Sequence, residues 1–289
     1  MNVWENIPFW YGLNDRLPNA ASLRRLYFWI RKLGIQESDE LLRVLQRDNS
    51  HSFKNYLSQV NMVLYHLNDY EHEVKKLLLD GIFVLTYSDK RYPLRLKELI
   101  DPPVLLFLQG NPALINSKTF GMVGSRTCTS YGLKATALFA RPLAQRGFTI
   151  VSGLAYGIDH EAHAQTLMVS GKTIAVLGNG LAHVYPAKHF RLQQQIAKEG
   201  LLVSEYHPDQ KPRPFHFPER NRIIAGLSDR IMVVEAAIKS GSLITAQFAL
   251  DLGKEIYAVP GNIDQKNSAG TNRLLQDGAL MALSAEELL

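Results

Sequence analysis

The chain has 289 residues, 46% of them hydrophobic, and 32 lysines and arginines against 27 acidic residues give a formal net charge of +5. This composition suits a globular protein with one large core or two smaller ones, and no apolar stretch approaches the ~18 residues of a membrane-spanning helix. The N-terminus lacks the basic and apolar regions of a secretion signal, and a single cysteine, Cys128, excludes an internal disulfide and points to the reducing cytoplasm.

Residues 1–78 read as a small helical domain. Leu23, Leu26, Tyr27, Ile30 and Leu33 recur at helical spacing, with Gly34 as a stop. Leu41, Leu42 and Leu45 begin another helix. Tyr56, Val60, Val63, Leu64 and Leu67 mark a third, and Val74, Leu77 and Leu78 a fourth, closed by Gly81. Trp4, Trp10 and Trp29 all lie here, and a packed bundle accounts for them.

At 82–86 the period shortens to a β-branched and aromatic run. Tyr92-Pro93 and Asp101-Pro102-Pro103 then break the chain, 104–108 reads as a second strand, and Gly110-Asn111-Pro112 as a turn. This segment is expected to flank a larger sheet. From Thr119 strand and helix alternate regularly. Strands are expected at 120–123, 148–151, 173–177, 201–204, 231–234, 255–259 and 279–282, and Gly147, Gly171, Gly200, Gly253 and Gly278 follow the intervening helices at the C′ position. Several of these strands are apolar throughout, as strands covered on both faces must be. Repeated βα units over 79–289 predict an α/β fold with a mostly parallel, doubly wound sheet.

Small-residue turns follow the strands. They are Gly124-Ser125-Arg126, the run from Ser152 and Gly153 to Gly157, Gly178-Asn179-Gly180, Ser240-Gly241-Ser242 and Pro260-Gly261-Asn262. In a parallel sheet such turns emerge at the carboxyl edge, where open α/β sheets bind ligands. Behind the first turn, Ser130 reads as the N-cap of a helix through Arg146. Helix N-termini offer unpaired N–H groups and partial positive charge, and Arg126 adds a fork matched to phosphate. The pattern therefore predicts an anion-binding crevice, against the plainer alternative of tight turns without a ligand.

Known nucleotide and metal signatures fail. Position 183, where G-x-G-x-x-G requires glycine after Gly178 and Gly180, is His183. Gly171-Lys172-Thr173 resembles the end of a P-loop, but Thr166 replaces its first glycine and the tripeptide precedes a strand. His160 and His163 are three apart, not the four of the zinc helix, and no cysteine or acidic cluster completes a site. No cofactor and no metal are expected. Cys128 has no evident base partner and reads as a small, partly buried residue.

Net positive charge permits a polyanionic partner without requiring one; the placement of the cations matters more. Lys188 and Arg191, with Phe190 between them, follow the third turn. A proline-rich stretch, Lys211-Pro212-Arg213-Pro214-Phe215-His216-Phe217-Pro218-Glu219-Arg220-Asn221-Arg222, then interleaves cations with rings. Cations pair with phosphates and rings stack on unpaired bases, which favours single-stranded over double-stranded nucleic acid. The alternative is that these rings pack beneath a long loop whose charges are merely solvated.

Together these residues resemble the DNA-processing protein A family (DprA, also called Smf). The resemblance rests on Val123-Gly124-Ser125-Arg126, Tyr131-Gly132, Val151-Ser152-Gly153-Leu154-Ala155, Gly157-Ile158-Asp159 and Ala162-His163. It continues through Thr173-Ile174-Ala175-Val176-Leu177-Gly178, Gly180-Leu181, Tyr185-Pro186, Ser204-Glu205 and Phe217-Pro218. Arg220-Asn221-Arg222-Ile223-Ile224-Ala225, Val234-Glu235-Ala236, Ser240-Gly241-Ser242-Leu243, Thr245-Ala246, Ala258-Val259-Pro260-Gly261 and Gly278-Ala279 complete it, from about residue 80 to the end. The resemblance implies an extended Rossmann-like domain, an N-terminal SAM-like helical domain, and a homodimer without established catalytic activity. It also implies binding of single-stranded DNA, protection of incoming strands in natural transformation, and help in loading the RecA recombinase.

On this reading Gly124, Ser125 and Arg126 hold a phosphate, with Ser152 and Gly153 donating from the neighbouring strand end. Lys188, Arg220, Asn221, Arg222, Ser240, Gly241 and Ser242 contribute to the next phosphates, and Phe217 or Phe190 stacks a base. The rival is an enzyme resembling the nucleoside-monophosphate phosphoribohydrolases, with Glu235 before Ser240-Gly241-Ser242 as its acid, although that family's Pro-Gly-Gly sequence and a second acid are missing. A third possibility is an assembly adaptor whose sheet only displays surfaces for RecA or itself.

Overall fold

The computed structural model describes residues 1–47 and 51–288. Five helices open the chain among the described residues: α1 (Ile7–Arg16), α2 (Ala20–Lys32), α3 (Ser38–Arg47), α4 (His51–Tyr65) and α5 (Leu67–Leu79). The periodicity of the sequence missed α1, because Phe9, Trp10, Tyr11, Gly12 and Leu13 are all buried and form no stripe. Asn6 caps this helix, accepting from the Phe9 N–H at 2.8 Å. Gly12 lies where a Cβ would meet the Tyr70 ring at 2.7 Å, so α1 and α5 touch backbone to ring. Trp10, Tyr11 and Leu26 share one apolar core with Phe107 and Val203 of the sheet. No helix among the described residues is long and apolar enough to cross a membrane.

The remaining elements, in chain order, are β1 (Ile82–Thr86), α6 (Leu94–Lys97), β2 (Leu105–Gly110), β3 (Thr119–Val123), α7 (Ser130–Gln145), β4 (Thr149–Ser152), α8 (Ile158–Met168) and β5 (Thr173–Leu177). They continue with α9 (Phe190–Glu199), β6 (Leu201–Ser204), α10 (His216–Leu227), β7 (Arg230–Val233), α11 (Gly241–Asp251), β8 (Ile256–Ala258), α12 (Ala269–Gln276) and β9 (Leu280–Met281). The strands form one sheet in the order β1-β2-β6-β5-β4-β3-β7-β8-β9. The β1–β2 and β2–β6 pairs are antiparallel and all other pairs parallel, so the early segment does flank a Rossmann-like parallel sheet. Every residue of β3, β4, β5 and β6 is buried, which explains their unbroken apolar runs.

Three terminus expectations change. Thr129, not Ser130, caps α7, its side chain accepting from the Gly132 N–H. Gly147, Gly253 and Gly278 adopt positive φ after their helices, but after α8 it is Ser170 that does so, at φ 57°, and not Gly171, while Gly200 closes α9 at φ −134°, outside the left-handed region.

The functional consequence of the topology lies at β3. From there β4, β5 and β6 run to one side and β7, β8 and β9 to the other. The loops leaving β3 and β7 therefore diverge, and a crevice opens between them at the carboxyl edge.

Candidate nucleic-acid interface

The first wall of the crevice is the turn after β3. A Cβ on Gly124 would sit 2.6 Å from Ile158 Cγ1 and 3.0 Å from the Glu235 carbonyl oxygen, so only glycine fits. The Ser125 N–H donates to the Glu235 carbonyl at 2.7 Å, and the Ser125 carbonyl accepts from the Ile158 N–H at 3.2 Å. The turn is thus tied to the exit of β7 on one side and the first turn of α8 on the other. It leaves Arg126 exposed, and no carboxylate pairs with it among the described residues. Its guanidinium lies 5.7 Å from the centre of the Phe217 ring, which packs at 5.1 Å and 36° against Tyr185.

Below Arg126 lies a cleft of about 550 Å³. Its far wall is the start of α11, where Ser240, Gly241 and Ser242 face the opening together with Lys239, Lys266 and Asn267. Ser240 caps α11: its Oγ accepts from the Ser242 N–H at 3.4 Å and lies 2.8 Å from the Ser242 hydroxyl. Gly241 is exposed and nothing lies within 4 Å of where its Cβ would be, which leaves its backbone open to close approach. An eleven-residue helix pointing its N-terminus at this space adds a fixed positive potential.

The floor holds two buried groups of opposite charge that attract without direct contact. Arg220 is 3% exposed and Asp159 6% exposed. Arg220 donates to the Gly153 carbonyl at 2.7 Å and to the Val176 carbonyl, and its Nε to Asn221 Oδ1 at 3.2 Å. Asp159 accepts from the backbone N–H groups of Gly153 at 3.1 Å and Ala155 at 3.4 Å. Burial pulls the Arg220 pKa down to about 10 against the attraction of Asp159, so the guanidinium keeps its charge at neutral pH. Burial pushes the Asp159 carboxyl up, and Arg220 acts in the opposite sense. Arg220 is buried, with Nη1 engaged by two backbone carbonyls and Nε by Asn221, so its main contribution to the cleft is its field. The cations able to meet a phosphate are Arg126, Lys239 and Lys266.

Gly124, Ser125, Arg126, Phe217, Arg220, Asn221, Ser240, Gly241 and Ser242 meet in this cleft. Gly153 lines a narrow slot beside it with Arg126, Tyr156, Tyr185 and Phe217, but its N–H is taken by Asp159. Four expected residues lie elsewhere. Ser152 is fully buried and its hydroxyl donates to the Met122 carbonyl at 2.6 Å, so it offers nothing to a ligand. Arg222 stands two residues after Arg220, about 200° further round α10, and this turns it away from the cleft. There it forms a buried ion pair with Glu205, its Nη2 donating to both carboxylate oxygens at 2.7 and 2.8 Å. Phe190 is half exposed but lines a separate groove with Phe83 and Gln193 near the antiparallel edge of the sheet. Lys188 is exposed just before α9 and lines neither the cleft nor the slot.

Two of the glycine turns also stay outside. Gly178 sits beneath Phe217, Gly180 donates to the Gln210 carbonyl, and Gly261 is held to α12 by Asn272. Conversely, sequence reasoning passed over Lys239 and Lys266. Lys239 directly precedes the Ser240 turn and could have been found there, whereas Lys266 carries no local signal.

With this geometry in hand, the chain can be set beside known proteins. Residues 83–289 match the family described as DNA recombination-mediator protein A. The chain belongs to that family. It is 42% identical over 209 residues to the DNA processing protein DprA of Bacillus subtilis, spanning 72% of this chain and 70% of the relative. It is 45% identical over 201 residues to the DprA of Streptococcus pneumoniae, spanning 70% and 71%. The X-ray structure of S. pneumoniae DprA superposes with a TM-score of 0.84 at 34% identity, covering 100% of this chain and 98% of that one. DNA processing protein A from Helicobacter pylori, described with a unique single-stranded DNA binding mode, superposes with a TM-score of 0.66 at 32% identity over 72% and 93%. The whole cleft lies within the matched family region, and α1–α5 fall within the S. pneumoniae superposition.

The family assignment also sets the other chemistries in context. Glu235 is 2% exposed, and its carboxylate accepts from the Thr129 N–H at 2.8 Å and the Thr129 hydroxyl at 2.5 Å. It anchors the start of α7 and does not line the cleft, so it is not placed as a phosphoribohydrolase acid would need to be. His163 is fully buried, its Nδ1 hydrogen-bonded to the Thr173 hydroxyl at 2.6 Å, and burial lowers its pKa to about 3.

Proposed function

We propose that this protein binds single-stranded DNA in the cleft between the β3 and β7 loops, without chemical conversion of the strand. The observation that carries this reading is Arg126, exposed and without a carboxylate partner among the described residues, beside the Phe217–Tyr185 ring pair at the mouth of the cleft. A phosphate meets the Arg126 fork, and the base attached to it stacks on the rings. Lys239, Lys266 and the start of α11 take a neighbouring phosphate. Duplex DNA hides its base faces, so only an unpaired strand uses both halves of the site. Membership of a recombination-mediator family and the single-stranded DNA binding of the H. pylori relative support this reading.

On the same reading the protein protects incoming strands in the cytoplasm during natural transformation and helps load RecA. A homodimer is supported by apolar side chains left open on and just after the edge strand β9: Leu280, Met281 and Leu283.

Fluorescence anisotropy with matched single- and double-stranded oligonucleotides, at several salt concentrations, tests the assignment. The single strand is expected to bind more tightly. Arg126→Ala removes an exposed side chain and leaves folding unchanged, while affinity falls about tenfold and the salt slope drops by about 0.7. An Arg126→Ala protein that binds as tightly as the parent with the same slope refutes it.

A further inference from the structure

The helical region and the cleft are joined at one carboxylate. Glu205, the first residue after β6, is 3% exposed. It accepts from Arg222 of α10 at 2.7 and 2.8 Å and from Arg24 of α2 at 2.8 Å. Among the described residues the Arg24–Glu205 contact is the one ion pair joining α1–α5 to the rest of the chain.

The loop that follows is pinned twice more. Tyr206 stacks on His216 with ring centres 4.0 Å apart, and its hydroxyl donates to the His216 carbonyl at 3.2 Å. His207 hydrogen-bonds the Tyr11 hydroxyl of α1 at 2.8 Å. This loop ends where α10 begins, and the second residue of α10 is Phe217. No side chain caps the start of α10; that end is held by the Tyr206 stack on His216, by the bond from His216 Nδ1 to the Gly178 carbonyl at 3.1 Å and, further along the helix, by the Arg222–Glu205 pair that Arg24 completes.

We propose that Arg24 is a positioning residue for the cleft. By completing the Glu205 cluster it holds the start of α10, and with it the stacking face of Phe217, so that the N-terminal helical region takes part in strand binding without touching the strand. This rests on the cleft being the site of single-stranded DNA. Arg24 is the informative residue because its removal leaves Glu205 paired with Arg222, so no buried charge is stranded and the protein stays folded.

The test combines binding with hydrogen exchange on the full chain. Arg24→Ala is expected to weaken binding of a single-stranded oligonucleotide roughly fivefold, the size of a coupling through packed elements. The salt slope should not change, because no phosphate contact is lost. In a Phe217→Ala background the same substitution should cause no further loss. Arg24→Lys, which restores one donor, should recover most of the affinity. Without DNA, Arg24→Ala should quicken amide exchange over residues 205–220 while the central strands exchange as before.

Parental affinity in Arg24→Ala, full multiplication of its effect with that of Phe217→Ala, or unchanged exchange over 205–220 overturns the proposal. A parent protein that binds no single strand overturns the cleft assignment and the coupling with it. The exchange result tells that case apart, since the mechanical link would still register.

Discussion

Gly153→Ala probes the floor of the cleft. A Cβ at this position would lie 2.6 Å from the Cζ and both terminal nitrogens of Arg220. Carbon contacts settle at about 3.5–4.0 Å, so the guanidinium must retreat by about 1 Å. It has nowhere to go: Arg220 is 3% exposed and held by the Gly153 and Val176 carbonyls. Each hydrogen bond from a charged group contributes about 1.5–3 kcal/mol, so losing or badly stretching two costs roughly 3–6 kcal/mol. Gly153 is not at positive φ, so alanine also restricts the unfolded chain and offsets about 0.4–1 kcal/mol. The net expectation is a loss of about 2–5.5 kcal/mol, measured by urea unfolding at neutral pH. A loss below about 1 kcal/mol, with the denaturant slope unchanged, refutes the claim that the guanidinium is locked against this backbone.

Other substitutions separate binding from folding. At Gly241, where a Cβ meets nothing within 4 Å, alanine should leave stability unchanged or raise it by about 0.5 kcal/mol. The same methyl group should weaken single-stranded DNA binding by obstructing backbone approach, and undiminished binding removes the start of α11 from the site. The pH dependence of stability tests His163. Above its unfolded pKa near 6.5 the residue is neutral in both states and adds no slope. As pH falls toward its folded value of about 3, only the unfolded chain takes up the proton. Stability should therefore drop by about 1.4 kcal/mol per pH unit from this site across that window. His163→Gln, which can keep a partner for Thr173, should show a shallower fall between pH 6 and pH 4 in urea midpoints; equal slopes in the two proteins contradict the buried neutral imidazole.

The α/β class, the parallel strands from Thr119 onward and the turn carrying Arg126 were legible in the sequence because each is a local pattern. Short apolar runs that recur between glycine-closed helical segments read as strands covered on both faces, and a glycine turn between strand and helix marks a ligand edge. The first helix was not legible, since Phe9 to Leu13 are buried all round and leave no period to read.

Residue type and spacing alone established that cations, rings and glycine turns are available in this chain. Which of them meet was decided by the tertiary structure. Arg220 and Arg222 look alike in the sequence, yet the pitch of α10 sends one to the cleft floor and the other to Glu205 on the far side. Lys239 and Lys266 reach the same cleft from separate loops because β7 and β8 lie side by side. The order of strands in the sheet, which no local pattern encodes, brings those loops opposite Arg126.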